Sequence, residues 1–370
     1  SMPDSNAIMK RKVLMCPLNW GLGHATRMVY LVQKFAANEC FEVTMAADGP
    51  AFDLLKSALP EIPIIRFPGP VVRYGRKGPA WLFLVRSFPK FLVNLHKEHV
   101  CLKKIVKDKK FDLVISDNRY GLHYRRCTTI FLTHQLRIPF PGFLKWMEPL
   151  GQRIHYRFIR RFDFCWIPDL PGPESIGGRL SHPERKPPNT HYIGLISRFM
   201  GIIPKPAPEH KTDIVVLLSG PEPQRTILES ELIKHLEHRP ESVLMVRGLP
   251  GCEPTDSMHR NIRLVTHMPA SRLKAFLVHS KHIICRAGYS SIMDLLVLGR
   301  TAIIIPTPGQ PEQEYLASYL HSKKYFYRLP QSNLDLDRAF EGTNTCRSTK
   351  IPYRDEWLDR AMQLALKKNT

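Results

Sequence analysis

Asn19-Trp20-Gly21-Leu22-Gly23-His24-Ala25-Thr26-Arg27 follows directly on the apolar run Val13-Leu14-Met15-Cys16. The order apolar run, glycine turn, histidine predicts a strand that delivers the backbone to the mouth of a helix. There the helix dipole and the unpaired N–H groups favour bound negative charge. The spacing departs from the dinucleotide fingerprint G-x-G-x-x-G, because Arg27 follows Thr26 where a third glycine is sought. His24 therefore points to chemistry on a phosphorylated ligand other than a nicotinamide dinucleotide.

The rest of the first half alternates between two periodicities. Strands are predicted near 13–16, 42–47, 62–67, 112–116, 128–132, 164–167 and 192–193, with helices over 25–37, 51–58 and 81–106. A break comes at Met200-Gly201-Ile202-Ile203-Pro204-Lys205-Pro206-Ala207-Pro208, where closely spaced prolines continue neither a helix nor a central strand. The rhythm then restarts, with strands near 214–218, 242–246, 263–265, 282–285 and 301–305 and helices over 224–237, 271–279, 289–298 and 312–323. A length of 370 residues suits two domains. The boundaries expected are 8–199, a linker over 200–211, a second domain over 212–350, and a last amphipathic helix in 351–370 packing back on the first domain. The fold class is α/β, two facing, doubly wound Rossmann-like sheets with a ligand cleft between the carboxyl ends of their strands.

Composition bounds the partners. With 54 Lys and Arg against 33 Asp and Glu, the formal charge is +21, which attracts polyanions or anionic lipid headgroups. There is no zinc-finger spacing, RNP-type aromatic motif or long basic run, so no nucleic acid is expected as partner. The cations are interleaved with aromatics in two clusters, one of Arg73, Arg76, Lys77, Trp81, Phe83, Arg86, Phe88, Lys90 and Phe91, the other of Lys145, Trp146, Arg153, Tyr156, Arg157, Phe158, Arg160 and Arg161. They suggest a peripheral contact with an anionic membrane surface, with core packing as the alternative for much of the 81–106 stripe. Eight cysteines without a C-x-x-C pair read as reduced, mostly buried thiols in a cytoplasmic protein. No run reaches the about 18 apolar residues a spanning helix needs.

In the second half, Cys285-Arg286-Ala287-Gly288-Tyr289-Ser290-Ser291-Ile292-Met293-Asp294 places a glycine and two hydroxyls at a helix start. Free N–H groups and hydroxyl donors there suit a diphosphate, and Asp294 lies one turn further in, within reach of a sugar diol. The alternative reads Ser290 as an N-cap and Asp294 as a dipole partner. Pro306-Thr307-Pro308-Gly309-Gln310-Pro311-Glu312-Gln313, again after a strand, adds polar groups for a sugar.

The glycine loop with His24, Gly194-Leu195-Ile196-Ser197-Arg198, Ser219-Gly220, the segment 285–295 and the segment 306–317 recur in the order seen in MurG-like glycosyltransferases of the GT-B fold, which the chain resembles over nearly its whole length. The resemblance is closest to an uncharacterised bacterial branch. It implies a nucleotide-sugar donor, expected to be a UDP-sugar, bound mainly by the second domain, and a glycan or lipid-linked acceptor on the first. By that likeness Asp294 holds the ribose; Gly288, Ser290 and Ser291 meet the diphosphate; Ser219, Gly220 and Arg286 belong to the donor site; Arg198 assists from the hinge; Met268 lies near the base; and Glu312 and Gln313 meet the sugar hydroxyls. Leu316 stands where the family usually has an asparagine, and the first loop has one fewer glycine, so the sugar itself stays open.

An inverting transfer needs a base for the acceptor hydroxyl. His24 suits that role, since a histidine's ordinary pKa of about 6.5 leaves much of it neutral near pH 7. Asp117, in Ser116-Asp117-Asn118-Arg119 at the end of a predicted strand, is the candidate to orient it; a structural histidine and a turn-forming aspartate are the alternatives. Asp335-Leu336-Asp337 spells a D-x-D motif at a helix start, where acidic residues serve the dipole. His96-x-x-His99 lies in a basic amphipathic segment. No metal and no further cofactor are expected. A nucleotide-sugar hydrolase or epimerase, and a non-catalytic nucleotide-binding or membrane adaptor, are the other function classes this sequence admits.

Overall fold

The computed structural model describes residues 9–19, 22–69, 80–203, 205–208, 211–347, 351 and 355–368, with the side chains of 80–87 left out. In the first half, β1 (Arg11–Cys16), α1 (Gly23–Ala36), β2 (Phe41–Ala47), α2 (Gly49–Ala58), β3 (Ile64–Arg66), α3 (Ala80–Lys109), β4 (Leu113–Asp117), β5 (Thr128–Leu132), α4 (Glu148–Ile159), β6 (Phe164–Ile167) and β7 (Thr190–Tyr192) succeed one another. The strands form a parallel sheet in the order β3-β2-β1-β4-β5-β6-β7. The order reverses beside β1, so the loops after β1 and β4 diverge at a topological switch point, the usual ligand crevice of such sheets.

The second half repeats the plan. It runs through β8 (Ile214–Leu217), α5 (Gln224–Leu236), β9 (Val243–Val246), β10 (Asp256–His259), β11 (Ile262–Val265), α6 (Ala270–His279), β12 (His282–Arg286), α7 (Tyr289–Leu298), β13 (Ile303–Ile305), α8 (Pro311–Ser322), β14 (Tyr327–Arg328), α9 (Leu336–Thr343) and α10 (Glu356–Lys367). The sheet order is β10-β11-β9-β8-β12-β13-β14, with its switch point between β8 and β12. β10 pairs antiparallel with β11 and was not foreseen; its residues Asp-Ser-Met-His are all exposed, so no apolar pattern marks it.

Buried strands explain the near-continuous apolar runs, since both faces of a parallel sheet are covered. Val13 through Cys16, Val114, Ile115, Ile130 through Leu132, Ile214 through Val216 and Ile303 through Ile305 are fully buried. α3 accommodates Pro89 inside its length. α10 leaves the second half and packs on the first: Leu358, Ala361, Met362 and Ala365 are buried, Tyr30 Oη donates to Asp355 Oδ1 at 2.7 Å, and Lys34 Nζ meets Asp355 and Asp359 at 2.6 and 3.1 Å. Among the described residues no helix is long and apolar enough to cross a membrane. Cysteines 16, 127, 165 and 285 are buried, while Cys252 is exposed.

Candidate active site

His24 sits in the first turn of α1, which has no side-chain cap and no acidic residue in that turn. Its Nδ1 lies 3.1 Å from both oxygens of Asp117, the last residue of β4. An Nδ1–H shared between two carboxylate oxygens leaves the Nε2 lone pair as the basic atom. Asp117 is wholly buried, and its bonds reach residues 90 and 93 positions away instead of the turn that follows it. That turn is made by Asn118 at φ 55° and by Ser116 Oγ, which donates to Arg119 O at 2.6 Å.

The sequence reading missed two members of this site. Arg27, one turn beyond His24 and buried, donates from Nε to Asp117 Oδ2 at 3.0 Å and from Nη2 to Oδ1. Burial alone would raise the Asp117 carboxyl, but Arg27 and then His24 hold it well below the usual carboxylate range. His134, just past the carboxyl end of β5, takes a 2.9 Å bond from Arg27 Nη1 at its Nδ1. A guanidinium only donates, so Nδ1 accepts and the His134 proton resides on Nε2. Nε2 then donates to Glu312 Oε1, from the first turn of α8 in the second domain. Burial lowers the His134 pKa against the pull of Glu312, in keeping with a neutral ring. Its ring stacks on Tyr289 at 4.2 Å and 11°. The i, i+3 spacing of His24 and Arg27 was a legible signal; Thr133-His134 after an apolar run was a weaker one.

The two domains therefore meet at this site. Ser290 Oγ donates to Gly23 O at 2.8 Å, and Tyr289 Oη donates to Pro168 O at 2.8 Å. A Cβ on Gly23 would lie 3.3 Å from Ser290 Oγ, so glycine permits that approach of the two helix mouths. Beside this contact the backbone is open: a Cβ on Gly288, Gly220 or Gly309 would meet nothing within 4 Å. Gly288 is the N-cap of α7, whose first turn, like that of α1, carries no acidic residue and no side-chain cap. Two helix N-termini bordering open backbone form a cradle suited to a diphosphate.

The remaining expected residues fall into three groups. Ser219, Gly288, Ser290 and Ser291 are part-exposed and Gly220 is exposed, at the carboxyl ends of β8 and β12. Asp294 is buried and tied to the crossover from the first domain, accepting from Ser197 Oγ at 2.5 Å and Arg198 Nε at 3.2 Å. Burial raises its carboxyl against those partners. In this arrangement Asp294 and Arg198 bind each other. Gln313 Oε1 likewise accepts from Thr307 N and Oγ1 at 2.8 and 3.0 Å, which shapes the loop after β13.

Two further side chains are buried. Met268 is 1% exposed, packed in the apolar core. The Arg286 guanidinium is directed to Gln331 Oε1 at 2.7 Å and Gln224 O at 3.0 Å, a buried tie between strand ends, because five donors in a dry interior must find acceptors. Asp335 caps α9 by accepting from Arg338 N at 3.1 Å, and Asp337 pairs with Arg239. His99 Nδ1 lies 3.1 Å from Gly121 O, while its ring stacks on His123.

Of the first basic aromatic cluster, Trp81, Phe83 and Arg86 have side chains outside the description, and Arg73, Arg76 and Lys77 lie outside the described residues. The second cluster forms a surface. Phe143, Trp146, Leu150 and Ile154 are exposed at helical spacing, Trp146 by 76%, with Lys145, Arg153, Arg157, Arg160 and Arg161 exposed around them. Tyr156 departs from that cluster; it is buried, donating to Arg185 O.

Residues 257–354 match the glycosyltransferase family 28 C-terminal domain. No curated protein matches the chain by sequence. Among solved structures it is similar to the glycosyltransferase SnogD from Streptomyces nogalater, at 16% identity and TM-score 0.59 over 96% of this chain and 100% of that one. It is similar also to MurG of Acinetobacter baumannii, at 13% identity and TM-score 0.54 over 97% and 99%. A UDP-N-acetylglucosamine 2-epimerase is similar as well, at 10% identity and TM-score 0.54 over 98% and 97%. At such identities the likeness shows the fold, two Rossmann-like domains in the GT-B arrangement. With that fold along its length and a family 28 C-terminal domain in its second half, the chain resembles the MurG-like glycosyltransferases.

Proposed function

We propose that the protein is a glycosyltransferase that moves a hexose or N-acetylhexosamine from a nucleoside diphosphate sugar, UDP as the nucleotide, to an acceptor hydroxyl with inversion and without a metal. The observation that carries this reading is the contact of His24 with Asp117 at the mouth of α1, facing the Gly288–Ser291 mouth of α7. In the step, His24 Nε2 takes the acceptor O–H proton as that oxygen forms its bond to C1. The C1–O bond to the diphosphate breaks, and its electron pair leaves with the diphosphate, whose charge the N–H groups of both helix mouths stabilise. The domain that holds the donor is distinct from the one that holds the base, which suits an acceptor bound on the first domain.

The exposed stripe of Phe143, Trp146, Leu150 and Ile154, flanked by cations, supports a peripheral membrane contact on the acceptor side, with a lipid-linked acceptor delivered from an anionic surface. The likeness to an epimerase favours one second reading, reaction of the donor with water or with itself. Product analysis of UDP-sugars incubated with the protein, with and without an acceptor panel and with EDTA, tests the proposal. Release of UDP only with acceptor supports transfer; release without acceptor, or a new UDP-sugar epimer, overturns it in favour of the second reading.

A further inference from the structure

Four links, the middle two buried and the outer two part-buried, join the base to the other domain: His24 to Asp117, Asp117 to Arg27, Arg27 to His134, and His134 to Glu312. The imidazoles of His24 and His134 are 6.5 Å apart between ring centroids. One cation, Arg27, thus lies among two carboxylates, and with both imidazoles neutral the group carries one negative charge in excess. A single proton on the histidine pair brings it to neutrality. Remove Glu312 and the balance changes: Arg27 and Asp117 cancel, and a protonated imidazole becomes an uncompensated cation beside a guanidinium.

We propose that contact between the domains completes the base, because Glu312 brings the negative charge that balances the proton His24 takes from the acceptor. The proposal rests on His24 being the base, and makes Glu312 and His134 positioning residues that act through it. The other groups facing the pair leave this balance intact. Tyr289, stacked on His134, stays neutral, since burial holds its hydroxyl well above the ordinary value and its O–H is given to Pro168 O. Asp169, which acts on Tyr289, is wholly buried in its own loop, accepting from Ser175 Oγ at 2.8 Å, Ser181 Oγ at 2.5 Å and Gly177 N at 3.0 Å. When the domains part, Glu312 withdraws and the proton leaves His24 for water, which resets the base. Activation is thereby confined to the state in which donor and acceptor domains touch.

Imidazole NMR titration of the full chain, with and without UDP, reads this directly. In Glu312→Gln the midpoint of the histidine pair should fall by about one pH unit. In His134→Phe, which keeps a ring against Tyr289 and leaves the Glu312 charge in place, the His24 midpoint should move less than in Glu312→Gln. Glu314→Gln, which removes a half-exposed charge from the same helix turn, should leave both unmoved. A midpoint unchanged in Glu312→Gln, or shifted equally in Glu314→Gln, overturns the proposal. The titration needs no turnover: absent sugar transfer with a shifted midpoint overturns the transferase reading alone, whereas transfer with an unmoved midpoint overturns the charge coupling alone.

Discussion

Arg27 grips Asp117 through two nitrogens while His24 shares the same carboxylate at 3.1 Å, so one aspartate orients the candidate base and neutralises a buried guanidinium. This double duty changes what substitutions there are expected to do. His24→Ala removes only the base, and should lower turnover by roughly 10²–10⁴-fold while leaving UDP affinity nearly intact. Steady-state kinetics with calorimetry of UDP binding checks both halves; full turnover in the variant would refute the mechanism.

Asp117→Asn leaves Arg27 buried without its counter-charge, a change that costs about 3–5 kcal/mol. The variant should melt well below wild type, and adding Arg27→Met should recover part of the loss. A melting point unchanged by Asp117→Asn contradicts the burial of this pair.

Asp117 and Glu312 both have carboxyls held below the ordinary range. For a depressed carboxyl, the stabilisation is complete above its unfolded pKa of about 4 and is lost as pH falls through the folded value. Stability should therefore hold from pH 7 to about 4 as far as these groups decide it, and drop steeply below. Denaturant titrations across pH 2–7, repeated in Glu312→Gln, should show a shallower drop in the variant.

Asp294 is bonded to the crossover residues Ser197 and Arg198, so its loss bears on the hinge as well as on a ribose. Asp294→Ala should weaken UDP binding by about 1–3 kcal/mol. Ser197→Ala, which spares the carboxylate, should lower the melting point and change UDP affinity far less. Calorimetry on both variants separates the roles; equal affinity in wild type and Asp294→Ala removes this aspartate from donor binding.

Flotation with liposomes should rise with anionic lipid content and fall with salt, because screening shortens the reach of surface charge. Replacing Trp146 and Phe143 by serine should reduce it several-fold at fixed charge. Binding indifferent to lipid charge, or to those two substitutions, excludes this surface as the membrane contact.

The two parallel sheets were legible because strands buried on both faces must be apolar throughout, as in Ile130 through Leu132, and because glycine-marked turns separate them from helices. The exposed hairpin strand β10 was illegible for the opposite reason: Asp256-Ser257-Met258-His259 has no buried face, and is held by backbone pairing with β11 and by exposed pairs of Asp256 with Arg263 and His259 with Glu237. In the site, the approach of His24 and Asp117 followed from both residues ending at one switch point. Arg27, His134 and the partner of Glu312 did not follow, because nothing in the chain's order says which side chains meet across an interface. Arg286 and Asp294 show the same limit from the other side, motif residues engaged by protein partners distant in the chain, Gln331 and Gln224 for the one and Ser197 and Arg198 for the other.

α10, which returns to pack on the first domain, gives the molecule a second covalent crossing between its halves besides the one after β7. Two crossings fix a line, as two hinges fix a door. Any motion that widens the mouth between Gly23 and Ser290 has to keep both crossings joined, so the two halves are tethered at two places instead of one. Cutting the chain before Asp355 would leave a single tether between the halves, while Tyr30 and Lys34 would still hold the start of α10 on the first domain.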